Sequence, residues 1–148
     1  MKLMIKAFPE LSTRELYEIL RLRSAVFVVE QKGIYQDLDR IDYQSIHIYM
    51  EEPDGSISGC LRIFSRPQEP GTVQVGRLAV GPRRQGMGRL LMETAEQTAR
   101  QRYDARAMYL DGRKSARPFY EACGYTASLP ACYETEEEAP YFEFNKSL

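Results

Sequence analysis

The stretch that decides the fold reads Leu78-Ala79-Val80-Gly81-Pro82-Arg83-Arg84-Gln85-Gly86-Met87-Gly88-Arg89. An apolar strand end runs into a turn that spells R-x-x-G-x-G over residues 83–88, and a long helical pattern follows directly. The first N–H groups of a helix lack intrahelical acceptors and carry partial positive charge, and glycines let an anion approach them closely. The arginines add full charges around the same spot. This segment therefore predicts a cradle for a pyrophosphate group, formed by the N–H groups of residues 84–89.

Other phosphate-binding motifs are incomplete at this turn. A dinucleotide-binding fingerprint needs a third glycine where Leu91 stands, and a P-loop needs a Gly-Lys-Ser/Thr run that is absent. An ordinary strand-to-helix turn is the alternative interpretation. Local charge favours the anion site, because residues 83–117 contain nine basic and four acidic side chains whereas the whole chain has a net charge of −1.

Outward from this segment, the pattern predicts a mixed α+β or α/β fold. Upstream, Ser12 and Glu15 form a capping box that starts an amphipathic helix reaching about Val28 to Gln31. Alternating or short apolar runs predict strands over 46–50, 57–64, 73–80, 107–110 and 141–144, with another starting at Gly124. Helical spacing predicts helices over 88–103 and 116–122. A length of 148 residues suits a single domain over residues 1–148.

Composition excludes several classes of protein. With 20 basic and 21 acidic residues, the chain has no bulk charge that favours nucleic acid or a membrane surface. No apolar run approaches the roughly 20 residues of a membrane span, and the first six residues are too short for a signal peptide. Three widely spaced cysteines and the single histidine, His47, argue against a disulfide framework or a zinc site. We therefore expect a soluble, cytoplasmic protein without a metal, a membrane partner or a nucleic-acid partner.

A second motif follows the cradle in a recognisable order. Ala116-Arg117-Pro118-Phe119-Tyr120-Glu121-Ala122-Cys123-Gly124-Tyr125, taken with the Leu78–Arg89 segment, resembles the GNAT superfamily of N-acetyltransferases. Residues 22–31 and 35–39 are similar to the ElaA-like branch, which has a Gly-Ile-Pro-His-like stretch where Glu138-Ala139-Pro140-Tyr141 stands here. The resemblance covers roughly residues 12–145. It implies a mixed central sheet of about six to seven strands flanked by about four helices.

The resemblance implies acetyl-CoA as co-substrate and a primary amine, on a small molecule or a protein, as acceptor. The pyrophosphate would bind the cradle, and the pantetheine amides would pair with the strand edge at Leu78–Val80 if this strand splays from its neighbour beyond Val80. The thioester would then lie near Val80, where a backbone N–H would stabilise the oxyanion formed by direct amine attack. The cofactor-binding residues are thus Leu78, Ala79, Val80, Arg83, Arg84, Gln85, Gly86, Met87, Gly88 and Arg89.

Two catalytic residues are candidates. The resemblance implies that Tyr120 protonates the departing thiolate, since a phenol with the ordinary pKa of about 10 is protonated at neutral pH; the alternative is a core aromatic residue. Glu30 follows an apolar run at the end of the first helix and is the candidate general base, the alternative being a surface carboxylate. His47 is expected to be a hydrogen-bonded structural residue.

Charged residues elsewhere have less specific expectations. Three aspartates in the 32–43 loop, Asp37, Asp39 and Asp42, are expected mainly as turn formers and solvated charges, the alternative being that they attract a cationic amine. Arg62 and Arg77 are expected to form ion pairs at the edge of the core, although Arg77 also suits a position facing the substrate. The Glu134–Glu138 run is expected to be a solvated loop.

The chain departs from the family pattern at two places in the cofactor-binding region. Arg113 stands where the family often has Asn or Gln, and the loop before Arg83 is about two residues shorter than is common. A non-catalytic acyl-CoA sensor and a binder of another phosphorylated ligand are the alternatives to the acetyltransferase. The acceptor is not identified and the oligomeric state is open, a homodimer being one option.

Overall fold

The structure is a computed structural model that describes residues 1–82 and 85–148. The strands of the described residues are β1 (Lys2–Ala7), β2 (Ile46–Glu51), β3 (Ile57–Ser65), β4 (Thr72–Val80), β5 (Ala107–Arg113), β6 (Thr126–Ser128) and β7 (Tyr141–Ser147). Their α-helices are α1 (Thr13–Arg23), α2 (Met87–Tyr103) and α3 (Arg117–Ala122). Short 3-10 turns lie at Phe8–Glu10, Ile41–Gln44 and Lys114–Ala116, and a π-helical segment spans Ser24–Glu30.

The seven strands of the described residues are hydrogen-bonded in the order β1-β2-β3-β4-β5-β7-β6. β4 pairs with β5 in parallel, whereas β1 with β2, β2 with β3, β5 with β7 and β6 with β7 are antiparallel. A parallel pair needs a crossover connection, which α2 supplies between β4 and β5. The sheet is therefore mixed, which confirms the α+β class and the strand number that the resemblance implied.

The chain divides into two compact units. The first contains Met1–Phe64 and Arg77–Ala95, and the second contains Ser65–Gly76 and Glu96–Leu148. The first unit packs α1 and the π-helical segment on one face of the sheet. The members of this core are Ile19, Leu22, Val26, Phe27, Tyr49, Ile57, Cys60 and Ala79.

Helix α1 begins at the predicted capping box. The Glu15 N–H donates to Ser12 Oγ over 3.0 Å, and the Ser12 N–H donates to Glu15 Oε1 over 2.7 Å. The helix passes directly into the π-helical segment, which ends at Glu30 and accounts for the predicted reach to 28–31. Gly33 then donates to the Phe27 carbonyl over 2.7 Å. A Cβ at 33 would lie 2.8 Å from that same oxygen, so the position requires glycine.

In the second unit, β5 and β7 are longer than the predicted 107–110 and 141–144 strands. Their antiparallel ladder continues from Ala107–Ser147 to Arg113–Tyr141, and cross-strand hydrogen bonds extend each strand beyond its apolar run. Strand β1, in the first unit, was not predicted as a strand at all. None of the helices in the described residues combines the length and apolar composition that a bilayer crossing requires.

Candidate functional site

The end of β4 carries the predicted pantetheine edge. The β4–β5 ladder of the described residues pairs Thr72, Val73 and Gln74 with Ala107, Met108 and Tyr109, and it stops there although β4 continues to Val80. The expectation placed the divergence beyond Val80, whereas the ladder already ends at Gln74. On its other side, the end of β4 is tied to β3, because the Gly81 N–H donates to the Ser58 carbonyl over 2.8 Å. Ala79 is buried in the α1 core, which fixes which face of the strand points inward.

A backbone irregularity lies directly before this edge. Arg77 has φ +56°, in the left-handed region that non-glycine residues avoid. The strand's alternation breaks at the same point, since Gly76, Arg77 and Leu78 are all half-buried. A left-handed non-glycine residue costs about 1–2 kcal/mol, so its surroundings must hold it in place.

The Arg77 side chain is held by the segment around Asp37. Its Nε donates to Asp37 Oδ1 over 2.7 Å, and its Nη2 donates to the Asp37 carbonyl over 3.1 Å and to Asp39 Oδ2 over 3.3 Å. The guanidinium also lies 5.2 Å from the centroid of the Tyr35 ring, a cation–π distance. Arg77 therefore forms the predicted ion pairs.

Two further arginines bind the same aspartates. Arg23, only 1% exposed, donates to Asp42 Oδ1 over 2.7 Å and to Asp37 Oδ2 over 3.1 Å. Arg62 donates to Asp39 through Nη1 and Nη2, each over 2.7 Å, and to Asp42 over 3.0 Å. Burial alone would raise the pKa of Asp39, but the hydrogen bonds and charge of Arg62 lower that pKa to about 2. The expectation of solvated aspartates is therefore wrong, because all three accept hydrogen bonds from these arginines.

His47 belongs to this charged cluster as a structural residue. The ring is buried, and its Nε2 donates to the Asp42 carbonyl over 2.9 Å, since a carbonyl oxygen only accepts. Burial lowers the pKa of His47, so the ring is neutral near pH 7. This agrees with the structural role expected for it.

The predicted cradle lies at the start of α2. The Leu90 N–H donates to the Gly86 carbonyl over 3.1 Å, which is the first hydrogen bond of the helix among the described residues. The N–H groups of Met87, Gly88 and Arg89 consequently have no acceptor within the helix. Gly86 has φ +78°, and a Cβ built there meets no atom within 4 Å, so the space beside this residue is open. Arg83 and Arg84 lie outside the described residues.

Side chains on either side of the cradle have different roles. Met87 is buried and packs so closely on Gly59 of β3 that a Cβ there would clash with its sulfur, which anchors the helix start on the sheet. Gln85 is exposed. Arg89 is 62% exposed and donates to Glu93 over 3.2 Å, so part of its charge is neutralised on the helix surface.

Tyr120 lies in α3 within the second unit. Its ring packs 5.0 Å from Phe144 and 5.1 Å from Phe119 between centroids. It also covers Gly112, where a Cβ would lie 2.8 Å from the ring. Burial raises the pKa of Tyr120 to about 12, which keeps the phenol protonated throughout the neutral range.

The remaining predicted residues are at the surface. Glu30 is exposed at the end of the π-helical segment. Arg113 is exposed at the end of β5 and lies directly opposite Tyr141 of β7. Arg113 is thus a cross-strand neighbour of the last residue of the Glu138–Tyr141 stretch, a pairing that sequence reasoning missed because 28 residues separate them. Among residues 1–82 and 85–148, no three histidine, cysteine, aspartate or glutamate side chains are grouped as a metal site.

Comparison with known proteins adds the family to this geometry. A sequence model described as the acetyltransferase (GNAT) family matches residues 13–125. The chain belongs to the GNAT family. It is 34% identical over 146 residues to a UPF0039 protein of Schizosaccharomyces pombe, covering 97% of this chain and 95% of that protein. It is also 32% identical over 133 residues to protein ElaA of Escherichia coli, covering 87% and 84% of the two chains.

Solved structures agree with this family assignment. A crystal structure titled as an acyl-CoA N-acyltransferase from Pseudomonas aeruginosa matches with a TM-score of 0.84 and 30% identity, covering 98% of each chain. The crystal structure of Escherichia coli ElaA matches with a TM-score of 0.84 and 28% identity, again covering 98% of each chain. The predicted ElaA-like branch of the GNAT family is confirmed, and the fold is that of an acyltransferase.

Proposed function

We propose that this GNAT protein is an acetyl-CoA-dependent N-acetyltransferase that transfers the acetyl group to a primary amine. The observation that supports it most is the start of α2. The first-turn N–H groups of α2 follow Gly86, where a Cβ would meet no atom within 4 Å. They come shortly after the end of β4, which is no longer paired with β5. A helix start of this kind suits a pyrophosphate, and a free strand edge suits the amides of an extended pantetheine arm.

The proposal assigns two binding roles. The N–H groups of Met87, Gly88 and Arg89, with the charges of Arg83 and Arg84, would hold the pyrophosphate. The backbone of Leu78–Val80 would pair with the pantetheine arm, and an N–H near Val80 would stabilise the developing oxyanion. The residues present fit this co-substrate, because the edge and the helix start belong to one compact unit and follow each other closely in the chain.

The proposed chemistry is direct acyl transfer. The amine nitrogen forms a bond to the thioester carbonyl carbon, the carbon–sulfur bond breaks, and the nitrogen loses one proton while the sulfur gains one. We assign Tyr120 as the donor of the proton to sulfur from its place in the family motif, and burial, which raises the pKa of Tyr120 to about 12, keeps the phenol protonated. Glu30 is assigned as the proton acceptor on the basis of its position at the end of the π-helical segment.

The cellular setting belongs to the same proposal. Three widely spaced cysteines suit the reducing cytoplasm, where acetyl-CoA is also available. Residues 1–148 are proposed to act as one domain that needs no metal, membrane or nucleic-acid partner, and a homodimer is compatible with it.

The test combines an amine panel with the Tyr120→Phe variant. Turnover is measured as free CoA thiol released from acetyl-CoA, and acetyl-CoA affinity is measured separately by calorimetry. We expect Tyr120→Phe to lower kcat by about a hundredfold or more while the acetyl-CoA Kd changes less than about twofold. Because the pKa of Tyr120 is about 12, wild-type kcat should not fall near pH 10 as it would for an ordinary phenol acid.

Tyr133→Phe is the matched control, since Tyr133 lies in the 129–140 loop and the same hydroxyl is removed. It should leave kcat unchanged. Saturable acetyl-CoA binding without turnover on any amine would instead support a non-catalytic acyl-CoA sensor. Equal losses of kcat in both tyrosine variants would exclude Tyr120 as the specific proton donor.

A further inference from the structure

We propose that Asp37 and Arg77 are a positioning pair, which holds the Leu78–Val80 edge of β4 in the orientation that receives the pantetheine arm. The inference rests on the proposed function and extends it to residues that do not themselves contact the reacting atoms. It is based on the left-handed backbone of Arg77, on the contacts that hold the Arg77 side chain, and on the position of Arg77 directly before the edge.

The backbone conformation of Arg77 affects the strand edge that follows it. Arg77 has φ +56° and is the residue immediately before Leu78. Successive amides of a regular strand alternate in direction, so an irregular φ at one residue resets which N–H and C=O groups of the following residues point to the free side. The direction of the edge therefore depends on the conformation of Arg77.

Hydrogen bonds of the Arg77 side chain maintain that conformation. The side-chain hydrogen bonds of Arg77 go to Asp37 and Asp39, and the shortest, from Nε to Asp37 Oδ1, is 2.7 Å. The other oxygen of Asp37 accepts from Arg23 over 3.1 Å. Asp37 therefore connects the left-handed residue of β4 to a guanidinium that is almost wholly buried.

The 37–42 segment that holds Arg77 is itself fixed by hydrogen bonds. Asp39 is held by two 2.7 Å hydrogen bonds from Arg62, and its Oδ1 also accepts from the Ile41 N–H over 3.1 Å. Asp42 is buried between Arg23 and Arg62. Buried charge-assisted hydrogen bonds of this kind are short and directional, so the 37–42 segment is a fixed support for Arg77.

The test compares two ligands that share the pyrophosphate but differ in the pantetheine arm. Acetyl-CoA carries both groups, whereas adenosine 3′-phosphate 5′-diphosphate carries only the pyrophosphate part. Affinities for both are measured by calorimetry on the wild type, Arg77→Gly, Asp37→Asn and the double variant. Arg77→Gly tolerates the left-handed φ without strain, so the protein should fold while the side-chain anchor is lost.

We expect each single variant to weaken acetyl-CoA binding by at least about fivefold, the equivalent of one hydrogen bond, and to change the fragment's affinity less than about twofold. The double variant should bind acetyl-CoA no more weakly than Arg77→Gly alone, because Arg77→Gly already removes the hydrogen bond that Asp37→Asn weakens. A general loss of structure would weaken both ligands together, which the ratio of the two affinities detects.

Asp104→Gly is the matched control. Asp104 is also left-handed, with φ +51°, and lies just after α2 in the second unit. It should change neither affinity. An unchanged affinity ratio in Arg77→Gly and Asp37→Asn would overturn the positioning pair while leaving the proposed function intact. Failure of the wild type to bind acetyl-CoA would overturn the proposed function itself.

Discussion

Two irregular acidic segments of this chain use their carboxylates in opposite ways. In the 31–45 segment, Asp42 is 7% exposed and accepts hydrogen bonds from two arginines that are themselves buried. In the 129–140 segment, Glu136 is paired with Arg117 at 3.4 Å, and the side chains are 64% and 36% exposed. Sequence reasoning assigned solvated carboxylates to both segments, and this is correct only for the second.

The difference shows that acidic composition does not set the role of a loop. Buried, paired charges attach a segment to its support, because removing either partner leaves an uncompensated charge away from water. Exposed charges keep most of their hydration and contribute little to stability. The first segment is therefore attached to the folded core through its aspartates, and the second is a surface loop.

The largest effect on stability is expected from a substitution that detaches the 31–45 segment. Asp42→Ala removes the closest charged partner of Arg23 and should lower the free energy of unfolding by about 3 kcal/mol. Urea unfolding of the wild type and the variant at pH 7 measures this difference. A loss below about 1 kcal/mol would mean that the segment is no better attached than the surface loop.

A smaller loss of stability is expected when the pH is lowered. Folded Asp39 has a pKa of about 2, below the unfolded value of about 3.9, so it stabilises the fold above pH 4 and loses this contribution as pH falls towards 2. The contribution is about 2 kcal/mol. Urea unfolding between pH 5 and pH 2 should show this decline in the wild type, and Asp39→Asn should reduce its size. An equally steep decline in the variant would assign the acid sensitivity to other groups.

The smallest effect concerns the surface loop. Glu136→Ala should change the free energy of unfolding by less than about 0.5 kcal/mol, because its ion pair with Arg117 is solvated. The same urea experiment measures it beside Asp42→Ala. A change comparable with that of Asp42→Ala would remove the distinction between the two segments.

Local patterns predicted the parts of the fold that local interactions determine. The Ser12–Glu15 capping box and the start of α2 were both predictable, because each is specified by residues within four positions of each other. β1 was not, since Lys2 and Lys6 leave only a three-residue apolar run between them and the strand forms by pairing with β2. Edge strands of this kind owe their structure to a partner distant in sequence.

The site was predictable to the same extent. Glycines and arginines around residue 86 indicated the cradle, but nothing local indicated that Arg77 would be left-handed, because Gly76 beside it is the residue that usually signals such a turn. The link between Arg77 and Asp37 spans 40 residues. Contacts of that range depend on how β4 packs in the first unit, which no motif records.

Gly112 lies beneath the Tyr120 ring and determines how closely the ring can approach β5. A methyl group at position 112 would lie 2.8 Å from both Tyr120 and Phe144, so even alanine there would lift the aromatic stack off β5. Residue size at this one position consequently sets how closely the Tyr120 ring packs on β5. Gly112→Ala thus offers a way to move the phenol outward by a fraction of a bond length without altering its chemistry.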